Sequence, residues 1–490
     1  MNDANDLKVL IESHVPLIVL ETHEEQRAFD VIEKLAVRHE WPLFGWSVAD
    51  GICRRILRQE RVADTTDPEK AMRHLESTPQ NGVYVLLDFH PYLTNPMIVR
   101  LVRQIAQTYH KTARTLIFVS PRLELPAELQ RLAARFALAV PDREAIQALV
   151  REEVDLWTRL NGDRVKAERA AYDALVQHVV GSSLEDARRL VRLAIRDDGA
   201  ITHTDIDKVL RAKRQLLGTN ELLEFEFDTG KFADIGGLKN LKRWLTVREA
   251  AFRAEPAAGL EPPRGILLLG VQGGGKSLAA KAVAGAWRLP LLRMDFGALY
   301  NKYHGETERN LREALKAAEA MAPCVLWFDE VEKGLAPDNS DDGVSRRLLG
   351  TLLTWMAERN SKVFLVATAN DVQALPPELL RKGRFDELFF IDFPDAAARR
   401  EIFEIHLKRR DREPAQFDLQ KMAQVTDGFS GAEIEQAIVS ALYQAHAAGG
   451  KLSTDHILSE IEQTKPLSVV MVERVAALRA WAAGRTVIAN

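Results

Sequence analysis

The stretch Gly265-Ile-Leu-Leu-Leu-Gly270-Val-Gln-Gly-Gly-Gly275-Lys276-Ser277 constrains this chain more than any other. Ile266 to Leu269 reads as a buried strand, and Leu278-Ala-Ala-Lys-Ala-Val-Ala-Gly-Ala as the helix that follows the glycine-rich loop. Gly270, Gly275, Lys276 and Ser277 stand at the spacing of a phosphate cradle. In such a loop consecutive backbone N–H groups wrap the phosphates, the lysine reaches the β/γ oxygens and the hydroxyl holds Mg²⁺. The positive end of the following helix faces the same anion. Gly270, Gln272, Gly273, Gly274, Gly275, Lys276, Ser277 and Leu278 are therefore the candidate nucleotide contacts. A glycine-rich turn that binds nothing fits poorly, because strand, loop and helix all agree.

At 490 residues the chain is too long for one core and should hold several folding units of about 100 to 200 residues each. Its net charge of −4 and 28% charged residues carry no basic excess that would argue for a nucleic-acid partner. Cys53 and Cys324 are the two cysteines, too few for a disulfide framework or a zinc site, which favours a reducing compartment. The Met-Asn-Asp-Ala-Asn-Asp start lacks a basic region followed by an apolar core. No run approaches the roughly 18 apolar residues of a membrane span. The expectation is an unprocessed protein without a membrane span, cytoplasmic or, if organellar, in a plastid stroma.

Up to about Leu217 strand-like stretches (Val15 to Leu20, Gly82 to Asp88, Thr115 to Ser120) alternate with helical patterns, and helices alone follow from Arg143. After a linker, 218–231, the alternation restarts at Phe232 and runs to about Pro394. A second helical stretch fills 395–465, and 466–490 reads as a tail helix. The order of α/β followed by helices occurs twice, and sequence echoes accompany it. Leu375-Pro-Pro-Glu-Leu and Phe393-Pro-Asp395 match Leu125-Pro-Ala-Glu-Leu and Val140-Pro-Asp142, while Gly428-Phe-Ser matches Gly181-Ser-Ser. Residues 1–217 thus read as a degenerate copy of the later module, with coincidence of common α/β vocabulary as the alternative. The copy should not hydrolyse a nucleotide. Its first loop is Glu21-Thr-His-Glu-Glu-Gln-Arg27, and its third strand ends in Asp88-Phe89 without a second carboxylate.

Pro323-Cys-Val-Leu-Trp-Phe-Asp329-Glu330 is a hydrophobic strand ending in two carboxylates. Asp329 would join Ser277 around a Mg²⁺ ion, and Glu330 would orient and activate an attacking water. Val363 to Asn370 is another buried strand, whose Asn370 either aligns that water from the other side or serves only as a turn residue.

With these motifs in this order, the chain from Phe232 to about Thr464 resembles the AAA family of AAA+ ATPases, ring-forming machines that remodel proteins. The resemblance implies an α/β P-loop module, with a parallel sheet and flanking helices, plus a small helical lid. Asp234-Ile-Gly-Gly-Leu238 is similar to the family's opening motif, whose backbone around Gly236 contacts adenine. Leu379-Leu-Arg381-Lys-Gly-Arg384-Phe-Asp386 is similar to its second region of homology. That makes Arg381 an arginine finger acting on a neighbouring subunit, with Arg384 as its companion, unless both form local ion pairs. By the same resemblance His406 lies beside the adenine, and Gly431 and Ala432 form the lid's nucleotide contact. Tyr303 and His304, in Asn301-Lys-Tyr-His-Gly-Glu306, form a pore loop that grips polypeptide, unless the aromatic only covers a helix end. The implied reaction is Mg²⁺-dependent ATP hydrolysis by a homo-oligomer, a hexameric ring, acting on a protein substrate. The other readings are a nucleotide-dependent assembly switch or scaffold and a DNA-directed ATPase. The loop departs from the family's usual Pro-Pro-Gly-Thr, and Gly274 should loosen it. The layout also resembles the stand-alone AAA proteins of algal plastid genomes and bacteria.

Overall fold

A computed structural model describes residues 3–55, 61–216, 222–226, 235–253, 261–296, 307–335 and 342–490. The chain divides into two compact units, Met1–Gly162 with Ser182–Arg192, and Asp163–Gly181 with Leu193–Asn490. This division does not follow the boundary expected near residue 217. Leu210, on the helix His203–Leu216, packs against the main core of the second unit, and Lys213 on the same helix donates to the carbonyl of His178 at 2.7 Å.

In the first unit β1 (Leu17–Glu21), β2 (Leu43–Ser47), β3 (Gly51–Arg54), β4 (Gly82–Leu87), β5 (Arg114–Ser120) and β6 (Ala133–Phe136) form one sheet in the order β3-β2-β4-β5-β1-β6. All neighbours are parallel except β2 and β3. Every residue of β5 is buried, because helices cover both faces of the sheet. Alternate residues serve opposite cores. Leu17, Val19, Leu116 and Phe118 join one cluster, and Ile18, Leu20, Ile117 and Val119 the other. The helix Pro96–Gln107 feeds the first cluster with Ile98, Leu101, Val102 and Ile105, spaced for one helical face.

The second unit opens with a short parallel pair, β7 (Lys166–Ala167) and β8 (Ala200–Ile201). Its main sheet contains β9 (Leu223–Glu226), β10 (Gly265–Gly270), β11 (Leu291–Asp295), β12 (Cys324–Asp329), β13 (Val363–Ala369), β14 (Glu387–Ile391) and β15 (Val487–Ile488). The order is β15-β14-β10-β13-β12-β11-β9, parallel throughout except for β9 against β11. The stretch expected to be linker therefore carries an edge strand. The tail is more than a helix: after Leu467–Val470 and Val472–Ala482 it adds β15 beside β14. Helices Ala396–Lys408, Leu419–Val425, Gly431–Ala447 and Thr454–Gln463 enclose a separate lid core around Phe403, Leu407, Ile434 and Ile438. Among the described residues no helix is long and apolar enough to cross a membrane.

Candidate functional site

β10, β12 and β13 run parallel, so their carboxyl ends deliver Gly270, Asp329 and Asn370 to one edge of the sheet, where ligands of open α/β sheets bind. A cavity of about 530 Å³ lies there, within the range of small-molecule sites. Gly236, Gln272, Gly273, Gly274, Gly275, Lys276, Ser277, Leu278, Asp329, Glu330, Asn370, His406, Gly431 and Ala432 all line it. The residues proposed from sequence to touch the nucleotide thus converge, Gly270 from just behind the lining.

Local chemistry explains the loop. A Cβ at Gly270 would lie 2.0 Å from the carbonyl oxygen of Ile391, so β14 can approach only a glycine. Gly275 has φ of +95°, a left-handed turn into the helix Lys276–Trp287. A Cβ at Gly274 would sit 3.1 Å from the Val271 carbonyl oxygen and 3.2 Å from Val271 Cγ2, closer than ordinary van der Waals contact. Two helix starts meet the cavity, one at Lys276 and one at Gly431. The second is held by a capping box between Ser430 and Glu433. Converging N-termini make the region favourable for phosphate.

Lys276 is buried and donates to the carbonyls of Gly270 at 2.9 Å and Val271 at 2.7 Å. Burial lowers its pKa to about 8, against the opposing pull of Glu332, Glu330 and Asp329. Burial likewise pushes the Glu332 carboxyl up, although its Oε1 accepts from the Asn370 N–H at 2.8 Å. Asn370 Nδ2 donates to Glu330 Oε1 at 2.6 Å, and Lys333 pairs with the other oxygen. Glu330 has φ of +49°, uncommon for a side-chain-bearing residue.

Thr368 and Arg293 escaped the sequence reading. The Thr368 hydroxyl donates to Asp329 Oδ1 at 2.9 Å and accepts from the Glu330 N–H at 3.1 Å, tying the Asp329 carboxylate and the Glu330 backbone to β13. Arg293, on β11, pairs with Asp329 Oδ2 at 2.9 Å and with Glu224 of β9 at 3.4 Å. Neither showed in the sequence, since a threonine in a strand and a charge on an alternating strand are ordinary.

Arg381 and Arg384 do not line the cavity. Arg381 is exposed, and among the described residues its side chain has no hydrogen bond or ion pair, whereas Arg384 Nη1 donates to the carbonyl of Leu353. Arg384 therefore braces the helix Asp342–Glu358 within its own chain. Tyr303 and His304 lie outside the described residues.

Residues 266–393 match the ATPase family associated with various cellular activities (AAA). Residues 3–138 match the SpoVK-like AAA ATPase N-terminal domain, and 144–220 the second domain of the same group. The uncharacterized AAA domain-containing protein ycf46 of Trieres chinensis is 35% identical over 495 residues, covering 99% of this chain and 98% of that protein. Its namesake in Guillardia theta is also 35% identical, over 501 residues, with 100% and 97% covered. A proteasome-activating nucleotidase of Aeropyrum pernix is 34% identical over 246 residues, 48% of this chain and 60% of that protein. Similarity along the whole length to the ycf46 proteins, on top of the cavity and its loop, shows that the chain belongs to the AAA ATPase family.

Proposed function

We propose that the chain is a Mg²⁺-dependent ATPase that forms a hexameric ring and uses hydrolysis to remodel or thread a protein substrate. The observation that carries the reading is the Asn370–Glu330 hydrogen bond at 2.6 Å in the same cavity as Lys276 and Ser277. Lys276 and the two helix starts would hold the triphosphate. Glu330, oriented by Asn370, would take a proton from water as its oxygen bonds the γ-phosphorus and the bond to the bridging oxygen breaks, releasing ADP. Ser277 and Asp329 offer hard oxygen donors that fit Mg²⁺, which usually takes one or two carboxylates and completes its shell with water and phosphate. When bound, that ion would neutralise phosphate charge.

Arg381 supports assembly, because an exposed arginine away from its own cavity is free to reach a neighbour's. A protein substrate is supported by the relative named a proteasome-activating nucleotidase and by the Tyr303 and His304 motif. The test is mixing. Arg381→Ala and Glu330→Gln chains, each inactive alone, should regain ATPase activity when combined, since some sites then pair an intact Glu330 with a neighbour's Arg381. Full hydrolysis by Arg381→Ala alone would refute the assignment. Tyr303→Ala should abolish substrate-stimulated turnover and spare basal turnover; an unaltered substrate response would favour a nucleotide-controlled scaffold.

A further inference from the structure

The turn Ile235 to Leu238 borders the cavity with its flanking polar groups already committed. Lys242 Nζ donates to the Ile235 carbonyl at 2.7 Å. Glu401 Oε2 accepts from the Gly237 N–H at 2.8 Å, and Asn490 Oδ1 accepts from the Leu238 N–H at 2.6 Å. Among the described residues neither the N–H nor the carbonyl of Gly236, which lines the cavity, has a partner. The turn has no slack. A Cβ at Gly236 would lie 2.8 Å from Ile402 Cγ1, and one at Gly237 2.8 Å from Asn490 Oδ1. The lid helix Ala396–Lys408 therefore presses on one side and Asn490 on the other. Gly237 and Leu238 both have left-handed backbone, φ +72° and +55°. For Leu238 this conformation has to be held by its surroundings.

Asn490 is itself delivered with precision by β15. Ile488 pairs with Phe390 of β14, and the buried Ala489 donates to the Phe390 carbonyl at 2.9 Å. The Ala489 carbonyl accepts from the N–H groups of Asn240 at 3.0 Å and Leu241 at 3.2 Å. Asn240 Nδ2 closes the clamp on the carbonyls of Ile488, at 3.1 Å, and of Asn490.

We propose that Asn490 is a positioning residue for base recognition. By holding the Leu238 N–H, its Oδ1 presents the open N–H and carbonyl of Gly236 as an adjacent donor and acceptor. That pair complements the ring nitrogen acceptor and amino donor on one edge of a 6-aminopurine. Guanine offers the reverse pattern on that edge, so the turn selects ATP over GTP. The 487–490 segment, distant in sequence from the phosphate loop, is by this inference part of the nucleotide site and sets its base specificity.

The inference rests on the cavity being the ATP site, and the experiment separates the two. Calorimetric titration of the full chain with ATP and with GTP compares wild type, Asn490→Ala, Asn490→Asp and Lys276→Ala. Asn490→Ala should weaken ATP about tenfold, the usual scale for an orphaned N–H, and GTP hardly at all. Asn490→Asp keeps an acceptor for the Leu238 N–H and should return ATP affinity to within about twofold of wild type. Equal losses for both nucleotides, or an aspartate variant as weak as the alanine variant, overturn the proposal. A general loss of folding in Asn490→Ala leaves the aspartate comparison to decide. Retained ATP affinity in Lys276→Ala would instead overturn the ATP-site reading, whatever the Asn490 variants do.

Discussion

In the first unit the parallel strands lie in the order β6-β1-β5-β4-β2, and in the second, inside the two-residue β15 that is added beside β14, in the order β14-β10-β13-β12-β11: fifth, first, fourth, third, second in both. Each sheet carries one antiparallel strand beside its second parallel strand, β3 in one and β9 in the other. Each Pro-Asp motif caps a helix, with Asp142 accepting from the Ala145 N–H at 2.9 Å and Asp395 from the Ala398 N–H at 2.7 Å. We read the first unit as a diverged copy of the second, and the shared strand order supports that reading.

The two differ at the sheet edge. After β1 the turn is residues 22–24, and the helix begins at Glu25; after β10 the loop is 271–275, and the helix begins at Lys276. Glu24 is buried, receives Arg27 Nη1 at 2.9 Å, and accepts at 3.2 Å from the N–H of Glu185, in the first turn of the helix Leu184–Arg196. In the second unit the corresponding helix start, at Gly431, lines the cavity. The first unit thus meets its helix terminus with a carboxylate of its own, where the second leaves its helix terminus facing the cavity. The strand ends also differ from expectation. Laying Arg114–Ser120 over Val363–Ala369 puts Leu87 with Asp329 and Asp88 with Glu330, through the pairs Leu87↔Val119 and Phe328↔Ala367. Asp88 and Glu330 share left-handed backbone, φ +47° and +49°. The carboxylate missing from the first unit is therefore the one at the proposed metal position.

The comparison breaks most sharply at those two residues. Glu330→Gln should lower hydrolysis about a thousandfold while ATP still binds, as expected for loss of a general base. Asp88→Asn should leave hydrolysis within about twofold of wild type, since a surface-type change away from the site costs little. Phosphate release with bound nucleotide measured in parallel decides it, and hydrolysis that depends equally on Asp88 would end the asymmetry. Next in size is nucleotide stoichiometry. Wild type should bind one ATP per chain, and Lys276→Ala about a hundredfold more weakly, on the scale of charged hydrogen bonds. A second equivalent of ATP surviving in Lys276→Ala would show that the first unit binds nucleotide. Smaller again, Glu24→Ala should destabilise the first unit by about 2 kcal/mol, because it leaves the Glu185 N–H without its acceptor and takes from the Arg27 guanidinium one of its two carboxylate partners, the other being Asp3. Denaturant unfolding with ATP affinity as control measures this, and a change in ATP affinity without loss of stability would contradict it.

Much of this site was legible because its signals are local. The phosphate loop is one contiguous run between a strand and a helix, and Asp329 and Glu330 end a strand with no other polar residue. What stayed hidden depends on register or on distant chain. A displacement of one residue decides whether Asp88 corresponds to Asp329 or to Glu330, and only strand pairing settles it. Asn490 reaches the turn through β15, two residues long and too short to have a readable period. β9 sits in a stretch that reads as linker, and Arg293 acquires meaning only once β11 and β12 are aligned side by side.

The finest contrast is confined to the second unit, where a histidine faces the cavity. His406 is 9% exposed on the helix Ala396–Lys408, its Nδ1 lies 3.4 Å from Glu435 Oε1, and Arg410 is at a similar distance. Burial holds its pKa below the ordinary 6.5; Glu435 opposes this, while Arg409 and Arg410 reinforce it. The folded protein therefore prefers the neutral ring, whereas the unfolded chain takes up a proton near 6.5. Above 6.5 the two states bind protons alike at this site and it contributes nothing to pH dependence. As the pH falls through 6.5 the unfolded state binds more, so stability declines until the folded ring protonates as well. His406→Gln removes that slope. Between about pH 7 and pH 5.5, denaturant unfolding of wild type should lose more stability than the glutamine variant does, by the proton linkage of one site. Parallel slopes would mean that the neutral ring is not what the folded lid selects.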